Sequence, residues 1–192
     1  GSVAEDRQIA ILFSDIRNFT AFSEKQLPYD VVHALNRYFN RVGASVTRYG
    51  GQIDNFIGDG MLALFGVTGD SDNPCLDAVR SALDMLAEVS AMRNYFETHF
   101  KFDLQIGIGI HYGEVVLGTV GFGERRRLTA IGDAVNLASR IESTNKEAGT
   151  SLLVSDNVLE KISTDVRCGK KIEVSIKGKS GKYTLHEVTS LA

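Results

Sequence analysis

The order of elements in this chain predicts an α+β fold, a ferredoxin-like βαββαβ core with C-terminal αβ additions. Three observations carry that expectation. Apolar runs of strand length alternate with two long segments of three- and four-residue apolar spacing. A Gly58-Asp59-Gly60 turn joins the second and third strands directly. No repeat or Pro/Ser-rich linker divides the chain, so its 192 residues read as one domain, 1–192. Gly1-Ser2 reads as a remnant of protein expression.

Gln8 to Phe13 is the first strand, and it ends at Ser14-Asp15. A loop then runs through Pro28, whose fixed φ suits a helix approach. Asp30 is the expected N-cap. Val32, Leu35, Phe39, Val42 and Val46 form an amphipathic stripe, and Gly50-Gly51 stops the helix. Gln52 to Ile57 and Met61 to Phe65 are the hairpin strands. Asn73-Pro74 opens the second long helix. Its stripe is Leu76, Val79, Leu83, Leu86 and Val89.

Leu104, Ile106, Ile108 and Ile110 alternate with Gln105, Gly107 and Gly109. That is a strand with one nearly bare face, open to the close approach of a helix or another backbone. A turn is expected at Tyr112-Gly113, with a further strand over Val115 to Val120. From Leu128 onward the chain adds a helix over Asp133 to Thr144, with Asp133 as its N-cap. A strand near Leu152-Leu153-Val154, a short helix near Val158, and terminal strands near Ile176 and over Tyr183 to Val188 follow.

Composition narrows the function. Hydrophobic residues make up 43% and charged residues 23%, enough apolar material for a core. A net charge of −3 argues against a strongly basic nucleic-acid binder. The apolar run Ile9 to Phe13 is far short of the roughly 20 residues that span a bilayer. No direct membrane contact by this domain is expected. Cys75 and Cys168 make no disulfide framework, and no signal or transit segment is evident. A cytoplasmic location is expected, alone or as the cytosolic part of a larger membrane-tethered protein.

Topology gives the first chemical constellation. A right-handed crossover places the third strand between the first two. The hairpin tip then falls at the sheet edge where the first strand ends, which brings Asp15 and Asp59 together. Two carboxylates at one edge can hold Mg²⁺ alongside substrate phosphates. Two such ions, about 3.5–4 Å apart, can clamp an in-line displacement at phosphorus. Taken singly, Asp15 reads as a turn cap and Asp59 as a hairpin loop residue.

Asn136 and Arg140 form the second constellation. They lie at i and i+4, on one helical face. An amide and a guanidinium pointing the same way suit a sugar and a phosphate. The alternative is an ordinary solvated face. Third is Ile176-Lys177-Gly178-Lys179-Ser180-Gly181-Lys182, a basic loop compatible with a polyphosphate but lacking P-loop spacing. Arg125-Arg126-Arg127 adds a further basic cluster, of the kind that is usually surface.

Four blocks together resemble the class III adenylate/guanylate cyclase catalytic domain. They are Phe13-Ser14-Asp15-Ile16-Arg17-Asn18-Phe19-Thr20, then Gly50-Gly51 through Gly58-Asp59-Gly60, then Thr129 through Arg140, then Ile176-Lys177-Gly178-Lys179. The resemblance implies the class III nucleotidyl cyclase fold. It also implies cyclisation of a nucleoside triphosphate to a 3′,5′-cyclic monophosphate and pyrophosphate. It assigns two Mg²⁺ or Mn²⁺ ions per site to Asp15, Asp59 and the backbone carbonyl of Ile16. Asn136 would orient the ribose, Arg140 would stabilise charge on the α-phosphate, and Lys177 would meet the terminal phosphate. Arg125 is a looser match for a phosphate contact. The resemblance further implies a homodimer with shared sites, the carboxylates from one chain and Asn136, Arg140 and Lys177 from the other. A covalently linked regulatory domain outside the sequence is expected on the same ground.

Base choice rests on Asn55 and Thr129. In the resembled family, Lys at the position of Asn55 goes with adenine and Glu with guanine. Asn is neither, and its amide can donate or accept. Thr129 resembles the bacterial-type adenylate branch. The expected substrate is therefore ATP and the product cyclic AMP, with GTP or dual use as the alternative. Two further readings compete. One is a regulatory pseudo-cyclase that binds nucleotide without turning it over. The other is a ferredoxin-like RNA-binding module, for which Gln105, Gly107 and Gly109 supply no aromatic platform.

Overall fold

A computed structural model describes residues 4–176, 178 and 180–192. The elements run β1 (Glu5–Ile16), α1 (Phe19–Glu24), α2 (Pro28–Arg48), β2 (Gln52–Ile57), β3 (Gly60–Phe65), α3 (Pro74–Phe100) and β4 (Ile106–Val120). Then follow β5 (Arg127–Ile131), α4 (Asp133–Ala148), β6 (Leu152–Ser155), α5 (Asp156–Ile162), β7 (Val166–Ser175) and β8 (Lys182–Leu191). Among the described residues the strands form one sheet in the order β2-β3-β1-β4-β6-β8-β7, with β5 paired to β4. The third strand lies between the first two, as the split βαβ arrangement requires.

Helices α2 and α3 cover one face of the sheet. Tyr38, Val42 and Val46 of α2 and Val79, Met85 and Phe96 of α3 join Leu12, Ala63, Ile108 and Ile110 in the main core. The expected α2 stripe is offset by a fraction of a turn: Ala34, Tyr38, Val42 and Val46 are buried, whereas Val32 is 58% exposed. Asn73 caps α3 by accepting from the Leu76 amide at 3.1 Å, with Pro74 in the first turn.

On the opposite face, α4 lies against β4 at its glycines. A Cβ on Gly109 would stand 2.3 Å from the Glu142 amide nitrogen and 2.8 Å from the Ala138 carbonyl oxygen. The bare face admits the helix backbone itself. Asn145, fully buried, fastens the contact by donating to the Ile108 carbonyl at 2.9 Å. The β4–β5 hairpin folds over the same face, packing Val115, Leu117 and Ala130 against Ile9, Ile11, Leu62 and Leu64.

The structure corrects several local expectations. Asp30 lies inside the first turn of α2, and the cap position is Leu27 with extended backbone. Pro28 at the first helical position sets that start earlier. Asp133 is the first residue of α4, and Gly132, at φ 152°, takes the cap position. Tyr112-Gly113 makes no turn: β4 is one 15-residue strand, paired with β1 through both residues. The pairing Ile9↔Gly113 and Ala10↔Tyr112 supplies partners that a local reading of Tyr-Gly cannot see. Strand β7 ends at Ser175, just before Ile176. The loop before Pro28 contains the short helix α1.

Candidate active site

Register builds the acidic edge. Asp15 is the penultimate residue of β1, opposite Gly107 of β4. Asp59 sits in the two-residue turn between Ile57 and Gly60, a turn that Gly58 permits at φ 62°. The hairpin tip folds back onto the end of β1, where the Ile16 N–H donates to Asp59 Oδ2 at 2.9 Å. Asp59 is thereby fixed beside the residue that follows Asp15. Partial burial lifts the Asp59 carboxyl above its ordinary pKa. Bonds from the Ile16 and Asp59 amides oppose the shift, and the charge on Asp15 adds to it.

Glu142 is a third carboxyl at this edge, one the sequence reading left out. Its Oε2 lies where a Cβ on Gly107 would come within 2.9 Å, directly over the strand partner of Asp15. Burial pushes its pKa up to about 9, with further rises from its hydrogen bond to Asp15 and from the charges of Asp15 and Asp59; Arg17 opposes. The raised pKa favours the protonated form of Glu142, as a donor to Asp15. The sequence signal nearest to it was the bare Gly107–Gly109 face, which left room for a helix or another backbone without saying which.

A cavity of about 250 Å³ opens here, lined by Asp15, Ile16, Arg17, Asn18, Glu142, Ser143 and Lys146. Among the described residues, no group of three or more His, Cys, Asp or Glu side chains forms a self-contained metal cage. A cation at this edge would rest on Asp15, Asp59, the Ile16 carbonyl and oxygens from substrate. That donor set is all oxygen and suits Mg²⁺ or Mn²⁺. Burial is the main cause of the raised Asp59 pKa and the Asp15 charge adds to it; a cation between the two carboxylates would offset both.

The remaining expected residues fall elsewhere. Asn136 is exposed on α4, and Arg140, one turn on, is half-buried. Neither lines the acidic cavity of its own chain. A Cβ on Gly178 would lie 3.6 Å from Arg140 Nη1, so Gly178 approaches that guanidinium. Lys177 lies outside the described residues. Arg125 is exposed on a 3-10 turn (Gly123–Arg125) at the tip of the β4–β5 hairpin.

Asn55 of β2 and Thr129 of β5 each bond to a residue near the other, across the two strands. Arg127 Nη1 donates to Asn55 Oδ1 at 3.1 Å. The Thr129 hydroxyl donates to Asp54 Oδ2 at 2.8 Å. Asp54 and Arg127 are the two members of this group whose roles were not legible beforehand.

A family model for the "Adenylate and Guanylate cyclase catalytic domain" matches residues 2–189. The chain belongs to that family. It is 37% identical over 190 residues to an adenylate cyclase of Anabaena cylindrica, covering 96% of this chain and 37% of that protein. It is 38% identical over 186 residues to the terminal-differentiation-specific adenylate cyclase of Dictyostelium discoideum, covering 95% of this chain and 9% of that protein. This cyclase domain therefore spans well under half the length of either relative. Among solved structures it resembles the guanylyl cyclase Cya2 at TM-score 0.91 and 34% identity, covering 98% of this chain and 94% of that one. It resembles the adenylyl cyclase CyaB from P. aeruginosa at TM-score 0.89 and 28% identity, covering 98% and 96%. The class III cyclase fold is thereby shown, and cyclases of this family are lyases.

Proposed function

We propose that this cyclase domain converts ATP to 3′,5′-cyclic AMP and pyrophosphate at sites shared between two copies of the chain. The observation that carries the reading is the 2.9 Å bond from Ile16 N–H to Asp59 Oδ2, which holds two carboxylates at one sheet edge. When bound there, divalent cations, two per site in this reading, would supply Lewis acidity toward the ribose 3′-hydroxyl and charge neutralisation at the phosphates. The hydroxyl oxygen gives up its proton to water and forms a bond to the α-phosphorus, while the bond from that phosphorus to the bridging oxygen breaks and pyrophosphate leaves with its electron pair.

Asn136 orients the ribose and Arg140 binds the charge that grows on the α-phosphoryl oxygens. Lys177 and Arg125 bind along the phosphates. Asn136 and Arg140 do not line the acidic cavity of their own chain, which supports a second copy as the source of the acids they face. The β4–β5 hairpin presents an apolar surface for such a partner, with Phe122 91% exposed and Val120 and Ile131 each more than half exposed. An isologous C2 dimer would use it twice and make two sites.

The Asn55–Arg127 bond favours ATP. Arginine has only donors, so Asn55 must turn its carbonyl oxygen to Arg127. The amide NH₂ then faces away as a donor, the complement of adenine N1. Relatives of both kinds, adenylate and guanylyl cyclases, are similar to the chain, so this local geometry carries the choice. No helix among the described residues is long and apolar enough to cross a membrane. A cytoplasmic active site and a covalently attached regulatory segment belong to the same reading. The test is product identification with ATP and GTP in competition. Cyclic AMP should dominate for the wild type and be absent for Asp59→Ala; turnover that survives Asp59→Ala refutes the carboxylate site. Absence of any cyclic product from the wild-type dimer would leave the nucleotide-binding pseudo-cyclase.

A further inference from the structure

Asp54 is an anomaly in β2. It is a carboxylate, yet it is only 7% exposed and is the most buried side chain of the strand. It falls where the β2–β3 register shifts, between Ile53 and Asn55. Such irregularities re-aim a side chain away from its pleat position. Here the side chain reaches Thr129, whose hydroxyl donates to Asp54 Oδ2 at 2.8 Å. Asp54 Oδ1 is buried and has no hydrogen-bond partner among the described residues. A buried carboxylate so sparsely paired is costly to keep for packing alone.

The chemistry of the pair suggests what it does. A threonine hydroxyl carries one proton and two lone pairs, whereas a carboxylate only accepts. The Thr129 proton is therefore committed to Asp54, and toward a bound base the Thr129 oxygen can offer only lone pairs. Adenine presents a donor at N6, and guanine presents an acceptor at O6. An acceptor-only Thr129 matches the first and is left facing a lone pair by the second.

We infer that Asp54 is a specificity-determining positioning residue, which selects adenine by holding the Thr129 hydroxyl proton away from the base. The inference rests on the reading of Asn55 and Thr129 as the base contacts. Asp54 itself touches no substrate. It acts through Thr129, as Arg127 acts through Asn55, and together they present one donor and one acceptor in the order that adenine requires.

The experiment compares kcat/KM for ATP and for GTP in wild type, Asp54→Ala, Thr129→Val and the double variant. Asp54→Ala frees the hydroxyl to rotate and donate to O6. The ATP/GTP ratio should fall about tenfold, the scale of one correctly paired hydrogen bond. In the Thr129→Val background the same change should leave the ratio within about twofold, because the lever has no hydroxyl to act on. If Asp54 merely ties β5 to β2, both substrates lose equally and the ratio stays fixed, which overturns the inference. A ratio that shifts as much without the Thr129 hydroxyl overturns it too. Equilibrium binding of the non-cyclising α,β-methylene analogues of ATP and GTP reads the same ratio if turnover is lost. The wild-type ratio separately tests the substrate: a preference for GTP would refute ATP as the preferred substrate, while the change on Asp54→Ala would still report on the hydroxyl.

Discussion

The backbone N–H of Ile16 donates to the carboxylate of Asp59 over 2.9 Å, joining a hairpin tip to the end of a strand 43 residues earlier in the chain. The bond positions Asp59 while leaving further lone pairs of its carboxylate for a cation. Asp59→Asn keeps an acceptor for Ile16 but removes the charge, and Asp59→Ala removes both. Cyclase activity is expected to fall at least about 100-fold in either variant, the scale of losing a preorganised charge in a polar site. The circular dichroism spectrum should be unchanged, since neither change touches the core. Near-wild-type turnover by Asp59→Asn would mean the charge is not needed.

Asn55 gives a second prediction. Replacing it with Lys supplies a dedicated donor for adenine N1, and the ATP/GTP ratio of kcat/KM should rise. Arg127 sits 3.1 Å from the Asn55 oxygen, so the new ammonium would meet a like charge. The rise should therefore be larger in Asn55→Lys combined with Arg127→Ala than in Asn55→Lys alone. An unchanged ratio in both variants would remove position 55 from base reading.

The parts of this site that were legible in the sequence share one property: they follow from periodicity and chain direction. Strand ends, the glycine turn at Gly58 and the crossover rule place Asp15 and Asp59 at one edge. The glycine alternation in β4 marks a place where a backbone can approach closely, and the structure seats α4 there. What was not legible depends on curvature. Nothing in the spacing of residues 112–131 shows that the β4–β5 hairpin folds over the sheet and lays Thr129 on Asp54. Tyr112-Gly113 reads locally as a turn because its long-range partner β1 is invisible to a window of a few residues. Glu142 was missed for a similar reason: its environment comes from Asp15 and Gly107, on two other elements.

The seat of α4 is itself testable. A methyl group on Gly109 would stand 2.3 Å from a backbone nitrogen, and a backbone cannot swing aside as a side-chain tip can. Gly109→Ala should destabilise the domain by about 2–3 kcal/mol, the range for overpacking a close-packed contact. A urea midpoint measured against wild type reads this directly. Gly118→Ala is the control, since a Cβ there meets nothing closer than 3.7 Å. Equal stability of Gly109→Ala and wild type would mean the helix can lift from the strand.

Shared sites make a quantitative prediction. Asp59→Ala and Arg140→Ala should each be inactive alone. Mixed in equal amounts and allowed to exchange subunits, half the dimers become heterodimers. Each of those has one site with both defects and one with neither. Activity should recover to about a quarter of wild type, as two-fold symmetry dictates. No recovery, with exchange demonstrated by labelled subunits, would place the acids and Arg140 in the same chain's site. Phe122→Asp, on the exposed hairpin, should weaken both dimerisation in sedimentation and activity together.

Glu142 ties stability to pH. Burial, and then the hydrogen bond and charge of Asp15, push the pKa of its carboxyl from the ordinary 4.5 up to about 9. The folded state binds the carboxyl proton more tightly than the unfolded chain, so its contribution is complete below pH 4.5 and declines as pH rises toward 9. Glu142→Gln keeps a neutral donor toward Asp15 and removes the titration. Without added metal, the variant should melt several degrees higher than wild type at pH 8. Near pH 4.5 the two should converge. Parallel melting curves across pH 5–9 would mean that Glu142 is already ionised in the native protein and holds no proton for Asp15.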